Sequence, residues 1–566
     1  MSLAKVAHDG NLGTQTDNAK IRQVTEWFKE HVTLFSQPYV LDDDQIRAVI
    51  GTHKNTLVTA RAGSGKTRVI VAKVAYLVAH GLANLEEIAI FMFNRAAAIE
   101  VNQRIAAVEI DGKKLVAPGE KVTIASTFHK FALDVVIRSG ENPQIISSKE
   151  QDNLISDLLQ QTLSSLHLRL SFREQQEMRS IVGNFITRAG QYFPGYANVE
   201  KLAQTVRVYC RQYQYQPEYA KNIRFHQVSL EVYRGYLATL RAPKIDFNLL
   251  LAVATDLLKS RACSGFLQEQ LSHLKYIMID EYQDFSYLFF SLVQALRQVA
   301  LTARLFCVGD DWQAINRFAG SDVNYFLNFG QFFPEDYTNI PLATNYRSDR
   351  RIVEQANRYM LNNYNYDAIP ARAFSHKSGK ISCLNPDKVH LDKSDLEEDS
   401  LGDGQIFLAL SQASQGRYSS EKVPPGAIRL LKTTLQILRR HPREEILLLH
   451  RHNFTSFDSI TLEIFYQALR QLTISSGIMS EADFAQKVRC MTMHKSKGLE
   501  SDIVILLEFN QEIVHGSHPH ATIFQLFGDT RAAEVADQHR LIYVALTRAK
   551  HRLYLLSTDR EPLNSK

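Results

Sequence analysis

The stretch Ala60-Arg61-Ala62-Gly63-Ser64-Gly65-Lys66-Thr67 decides how this chain is read. It follows an apolar, strand-like run (Thr56, Leu57, Val58) and precedes a helical one from Val69 to Leu82. A glycine-rich turn between strand and helix points successive backbone N–H groups into one concavity that suits phosphate oxygens. The lysine adds a point charge for the outer phosphates, and the threonine hydroxyl is placed to hold Mg²⁺. Alanine stands at position 60, where such a pattern usually begins with glycine. Alone, the loop implies a bound nucleotide; the use of that nucleotide must be read elsewhere.

A second signal follows at Tyr276-Ile277-Met278-Ile279-Asp280-Glu281-Tyr282-Gln283-Asp284. An apolar run ending in paired carboxylates is what a Mg²⁺-nucleotide site needs opposite a phosphate loop. Asp280 can bind the metal, directly or through water, and Glu281 can orient and deprotonate an attacking water. A solvated acidic loop is the plainer alternative, and the phosphate loop upstream argues against it.

Composition sets the frame. A chain of 566 residues exceeds one hydrophobic core and should form about three or four domains or subdomains. With 45% hydrophobic and 22% charged residues it reads as globular, not disordered. The net charge of +5 permits a nucleic-acid partner without demonstrating one. The five cysteines (Cys210, Cys263, Cys307, Cys383, Cys490) form no CxxC pair, so neither a disulfide framework nor a zinc site is expected. The first residues are polar and lack an apolar signal core, and no apolar run nears the roughly 20 residues of a membrane helix. A cytoplasmic protein with no membrane partner is the expectation.

Short apolar runs alternate with amphipathic stretches in two regions, which implies two doubly wound parallel sheets. The first region contains strands expected at Leu57–Thr59, Ile88–Phe93, Val122–Ala125, Tyr276–Ile279 and Leu305–Val308. The second contains Ile446–Leu449, Val488–Met493, Ile503–Leu507 and Leu553–Leu556. Within the first region, between Phe131 and Leu274, helical patterns at Gln151–Leu166, Phe172–Phe193 and Val199–Tyr213 predict an all-helical insertion into the first sheet domain. The stretch 385–425, acidic at first and later rich in serine and proline, reads as a loop or linker.

Further motifs occur in order along the chain. They are Leu41-Asp42-Asp43-Asp44-Gln45; Phe93 with Ala97, Ala98, Glu100 and Arg104; and Thr127-Phe128-His129-Lys130-Phe131-Ala132. Val308-Gly309-Asp310-Asp311-Trp312-Gln313-Ala314-Ile315, Asn345-Tyr346-Arg347-Ser348, Thr492-Met493-His494-Lys495-Ser496-Lys497-Gly498-Leu499-Glu500 and Tyr543-Val544-Ala545-Leu546-Thr547-Arg548-Ala549 complete the series. The set resembles the superfamily 1 helicases of the UvrD/Rep type across roughly residues 41 to 556, nearly the whole chain. The resemblance implies an α/β fold of two RecA-like P-loop domains. The first would run through 1–131 and 246–340, interrupted by a helical insertion at 132–245. The second would occupy 341–566, with an acidic loop near 385–425.

The resemblance also assigns roles. Lys66, Glu281, Gln313, Arg347 and Arg548 are the expected catalytic set, with ATP as nucleotide and Mg²⁺ held by Thr67 and Asp280. Ala62, Gly63, Ser64, Gly65, Lys66 and Thr67 would cradle phosphates. Gln45 and Arg68 would contact the base, Tyr346 would stack on it, and Glu500 would meet the ribose. Hydrolysis develops charge on the γ-phosphoryl oxygens, so cations beyond Lys66 are needed, and Arg347 and Arg548 come from the second sheet domain. Only a closed cleft can place both sets on one ATP. Candidates to hold single-stranded nucleic acid are Phe93, Thr127, Phe128, His129, Phe318, Thr492 and His494, through polar backbone-directed groups and aromatic stacking. Phe128 and Phe318 could equally be core residues.

Four departures from the family pattern stand out. Asn316 replaces a usual strand-contacting tyrosine, and Ala96 a usual lysine. Asp537-Gln538-His539-Arg540 stands where two acidic and two basic residues are usual. Only about 35 residues separate Asn453 from Val488, too few for the large accessory subdomain of UvrD/Rep proteins. That economy looks closest to the DNA helicase IV branch. The expected activity is ATP-driven translocation on single-stranded DNA with 3′→5′ unwinding of tailed duplexes in repair, recombination or replication. The alternative is a DNA-stimulated ATPase subunit that regulates a partner nuclease or a defence or repair complex without unwinding by itself. An RNA-directed motor is a third reading.

Overall fold

A computed structural model describes residues 14–117, 124–241, 243–260, 265–364, 368–388, 403–415, 424–453, 455, 460–510, 525–559 and 563. Six parallel strands form the first sheet, in the spatial order Tyr337–Leu342, Asn55–Ala60, Arg304–Gly309, Tyr276–Ile279, Ile88–Met92, Ala125–Thr127. Both faces are buried. Leu57, Phe91, Ile277, Ile279, Leu305 and Cys307 point into one apolar cluster, and Val58, Ile90, Met92, Met278, Phe306 and Val308 into the other. A sheet covered by helices on both sides needs nearly continuous apolar strands, and these are such strands.

Five parallel strands form the second sheet, ordered Lys380–Leu384, Ala549–Leu556, Ser501–Leu506, Ile446–His450, Val488–Thr492. Here too the faces alternate: Leu447, Leu449, Val504 and Leu506 join one cluster, Ile446, Leu448, Ile503 and Ile505 the other. The α/β reading with two parallel sheets is thus what the chain forms.

Two strands escaped the apolar-run criterion. Tyr337–Leu342 and Lys380–Leu384 are edge strands, only half-buried and mixed in polarity. A small antiparallel sheet of Val32–Leu34, Gln37–Pro38, Val108–Ile110 and Lys113–Lys114 was also not expected. The strand expected at Val122–Ala125 lies partly outside the described residues; the observed one is Ala125–Thr127. Within the stretch read as a loop at 385–425, a helix spans Asp403–Ala413, while 389–402 and 416–423 lie outside the described residues.

Between the strands of the first sheet, helices Ser148–Ser165, Phe172–Tyr192, Val199–Tyr213 and Ala220–Thr239 share one apolar cluster. Ser147 and Ser171 open the first two, each with a reciprocal bond from Glu150 or Glu174, so local sequence sets both starts. A short parallel ladder, Gln144–Ile145 against Lys244–Ile245, closes the base of this helical unit. Helix Phe128–Arg138, which the expected division at 131/132 cuts, keeps its apolar face (Phe128, Ala132, Val135, Val136) in the first sheet's cluster.

His226 sits at the centre of the helical unit, fully buried, and among the described residues neither ring nitrogen has a hydrogen-bond partner. Burial pushes its pKa down to about 4. The unfolded chain therefore takes up a proton below pH 6.5 that the folded chain refuses, so stability is complete above pH 6.5 and lost as pH falls toward 4. His226→Phe should melt no lower than wild type at pH 7.5. By pH 5 it should gain about 2 kcal/mol relative to wild type, read from thermal melts across that range.

Candidate functional site

The phosphate loop joins strand Asn55–Ala60 to helix Lys66–Ala79. Gly63 and Gly65 have φ of 73° and 82°, in the left-handed region that favours glycine. Space makes the same demand: a Cβ on Gly63 would stand 2.9 Å from Arg347 Cβ, and one on Gly65 would stand 2.9 Å from Gln45 Nε2. The second domain is seated on the loop. Asn345 Nδ2 donates to the Ala62 carbonyl (2.7 Å), the Tyr346 N–H donates to the Gly63 carbonyl (2.9 Å), and the Ala62 N–H donates to the Tyr543 hydroxyl (3.4 Å). Among the described residues the buried Ser64 hydroxyl has no hydrogen-bond partner, leaving a polar group open in the cradle.

Opposite the loop, Lys66 Nζ lies 3.2 Å from the Glu281 carboxylate, and Thr67 Oγ1 lies 3.4 Å from Asp280 Oδ2. Glu281 has φ of 51°, an uncommon setting for a residue with a side chain, at the turn that ends strand Tyr276–Ile279. Burial, then the neighbouring Glu281, pushes Asp280 up to about 7. Burial acts to raise Glu281 as well, but Lys66 and then Lys497 bring it down to about 2. The two adjacent carboxylates thus differ sharply. Lys66 and Lys497 favour the charged form of Glu281, which can act as a base, whereas burial and the neighbouring Glu281 disfavour the charged form of Asp280. The unpartnered Ser64 hydroxyl and the Thr67–Asp280 pair fit a Mg²⁺-nucleotide: Thr67 and Asp280 would hold the metal, Lys66 and the loop N–H groups the phosphates.

From Glu281 a chain of contacts crosses to the second domain. Gln283 Nε2 donates to Glu281, and its Oε1 accepts the Asp310 N–H (2.9 Å). Gln313 Nε2 donates to Asp310 Oδ2 (2.6 Å), and Arg548 reaches Gln313 Oε1 at 3.4 Å. Arg548 is buried and further fixed by the carbonyls of Val544 and Leu499. Arg347 Nε pairs with Glu500 (2.7 Å), so residues assigned to the γ-phosphate and the ribose form one ion pair. Gln45 is likewise committed. It caps its own helix with Asp42 and donates to the Ser64 carbonyl (2.9 Å), so it braces the loop and has only a second N–H and a second lone pair left for a base. Arg68 is bonded to the Val40 carbonyl, and Tyr346, 41% exposed, lies beside exposed Phe374 with ring centroids 4.9 Å apart.

Three residues at this site were not singled out from the sequence. Arg61, inside the loop itself, is buried with Asp310 and Asp311 each at 2.7 Å and its guanidinium 4.0 Å above the Trp312 ring. Lys497 reaches from the second domain to Asp284 and to the Gln313 carbonyl (2.9 Å). Asn345 grips the loop as described. Arg61 and Lys497 carried a signal, since each is a cation inside a motif otherwise assigned to phosphates or strand.

The strand candidates separate into two groups. Phe93 is partly exposed just past strand Ile88–Met92, whose Met92 pairs with Thr127, so Phe93 and Thr127 share one sheet end. Phe318 is 60% exposed and meets His494 edge-on at 5.7 Å, joining one candidate from each domain. Thr492 ends its strand beside His450. Phe128 is not a stacking platform: it is 3% exposed and stacks on Phe91 (4.8 Å) and Phe289 (4.2 Å) inside the core. Thr127 uses its hydroxyl to cap helix Phe128–Arg138. His129 packs edge-on against Phe247 and Phe289. Burial holds both His129 and His494 near pKa 4, so neither is a phosphate-binding cation at neutral pH.

The sequence of this chain matches known proteins. The UvrD/REP helicase N-terminal domain matches residues 41–334, and the UvrD-like helicase C-terminal domain matches 432–560. DNA helicase IV of Escherichia coli (strain K12) is 28% identical over 547 residues, which is 92% of this chain and 69% of that protein. ATP-dependent DNA helicase PcrA of Leuconostoc citreum is 29% identical over 347 residues, 60% of this chain and 41% of that protein. PcrA of Staphylococcus aureus is 28% identical over 332 residues, covering 57% of this chain and 40% of its own length. The chain therefore spans about two-fifths of the PcrA proteins it matches. With both helicase domains matched in order along the chain, it belongs to the UvrD/Rep helicase family.

Proposed function

We propose that this UvrD-like, ATP-hydrolysing DNA helicase moves 3′→5′ along single-stranded DNA and opens tailed duplexes in the cytoplasm, in repair, recombination or replication. One observation carries the reading: Arg548, Tyr543, Asn345 and Lys497 of the second sheet domain converge on the phosphate loop and on Gln313 of the first. A nucleotide in that cleft would be touched by both domains, so binding and hydrolysis would alter their spacing. Mg²⁺, when bound at Thr67 and Asp280, supplies charge neutralisation for the phosphates. Glu281 accepts the proton of the attacking water on a carboxylate oxygen, and Lys66 and Arg548 offset negative charge as it develops. Among the described residues no helix is long and apolar enough to cross a membrane, which is consistent with the proposed cytoplasmic setting.

A second reading, a DNA-stimulated ATPase that regulates a partner nuclease or repair complex, is favoured by one feature. The connection from strand Ile446–His450 to Val488–Thr492 contains helices Leu462–Ser475 and Glu481–Lys487, and both pack on the second sheet's own core. Strong DNA-stimulated hydrolysis with no strand displacement by the isolated protein would select this reading.

Lys66→Ala should lower kcat for ATP by about 100-fold or more with the circular dichroism spectrum unchanged; retained hydrolysis would refute the site assignment. Arg548→Ala should lower kcat by about 1,000-fold while KM for ATP changes little, as expected for a group acting on transition-state charge. Lys497→Ala should cost about tenfold in kcat at saturating DNA, measured by the same assay. Displacement assays on 3′-tailed and 5′-tailed duplexes should show unwinding from the 3′ tail; unwinding only from the 5′ tail overturns the polarity.

A further inference from the structure

The helical unit inserted in the first domain is joined to the lead-in of the helix that precedes Arg548 by a contact no catalytic role explains. Residues Leu526 to Asp529 precede helix Arg531–Leu546 of the second domain, two residues beyond whose end stands Arg548. Leu526 is 9% exposed and belongs to the apolar cluster of the helical unit. Phe527 packs on Phe185 (5.3 Å between ring centroids) and on Tyr192 (6.1 Å), both on helix Phe172–Tyr192. Asp529 takes a two-pronged bond from buried Arg188 of that helix, at 3.2 and 2.8 Å. Two parallel N–H···O bonds from a planar guanidinium fix orientation as well as distance.

The same helix lies hard against the loop that follows Gln313. A Cβ on Gly320 would fall 2.4 Å from Gln191 Cγ, so only glycine fits there. Arg317, next to the strand candidate Phe318, pairs with Asp537 of helix Arg531–Leu546 (2.7 Å) and stands 3.8 Å from Asp529. One face of helix Phe172–Tyr192 thus touches both the loop bearing Phe318 and the lead-in to the helix that ends two residues before Arg548.

We propose that Arg188, with Phe527 and Asp529, is a positioning contact through which the helical insertion holds Arg548 in register with the strand-facing loop, so that strand-stimulated hydrolysis depends on it. The proposal rests on the ATP-driven strand-translocase reading above. Arg188 acts by fixing where helix Arg531–Leu546 begins relative to residues 316–321. A rigid helix translates displacement at one end into displacement at the other, and Arg548 follows the far end.

The test is steady-state ATPase of the full chain, with and without saturating poly(dT), for wild type, Arg188→Lys, Asp529→Asn and Phe527→Ala. Asp529 is only partly buried, its side chain 21% exposed, and its amide variant keeps volume, so it remains informative even where another variant fails to fold; melting temperature is measured for each. The expected result is a fall of about fivefold or more in the poly(dT)-stimulated kcat, with basal kcat, KM for ATP and poly(dT) affinity within about twofold of wild type. Wild-type stimulation in folded Asp529→Asn and Phe527→Ala overturns the coupling and leaves the strand-translocase reading intact. Equal loss of basal and stimulated rates also overturns it, because the contact would then serve the fold alone. A wild-type protein that poly(dT) does not stimulate overturns the strand-translocase reading, and the coupling with it.

Discussion

The seat of the second domain on the phosphate loop is the constraint from which the rest of the site follows. Loop carbonyls of Ala62 and Gly63 are hydrogen-bonded by Asn345 and by the Tyr346 backbone, not by the first domain. Such contacts require close approach of two backbones, and a side chain at position 63 would strike Arg347 and Asn345. Gly63 therefore serves two masters. Its backbone freedom shapes the cradle, and its missing side chain admits the partner domain.

A set of buried charges beneath the loop keeps that seat in register. Arg61 is almost wholly removed from water, and burial opposes its charge, but Asp311 and Asp310 hold it firmly protonated. Removing one member of such a group leaves an unpaired buried charge, which is why buried ion pairs define geometry more than they add stability. Here they tie the phosphate loop to the Gln313 loop, and the Trp312 ring, lying against both Arg61 and Tyr543, carries the tie toward the second domain. Lys66, Glu281, Gln283, Asp310, Gln313 and Arg548 then form one continuous polar path.

Much of this was legible in the chain itself. The apolar runs at Tyr276–Ile279 and Ile446–Leu449 read as strands of parallel sheets and are such strands, and the glycine-rich turn between strand and helix read as a phosphate loop. Edge strands such as Tyr337–Leu342 were not legible, because a strand exposed on one side needs no apolar run. Phe128 shows a different limit. In sequence it sits between a cap threonine and a histidine, and nothing local tells a core ring from a stacking platform; only the neighbours Phe91 and Phe289, one about 40 residues upstream and the other more than 150 downstream, decide it.

The sequence by itself determined two parallel sheets, a nucleotide-binding loop, a pair of carboxylates opposite it and the order of the motifs, because these depend on local periodicity and on residue chemistry at short spacing. Only the tertiary structure decided which charges meet. The pairing of Arg347 with Glu500, the reach of Lys497 to Asp284, and the tie of Arg188 to Asp529 join residues separated by 153, 213 and 341 positions. Ion pairs across such distances are set by how whole domains pack, and no local pattern of residues encodes them.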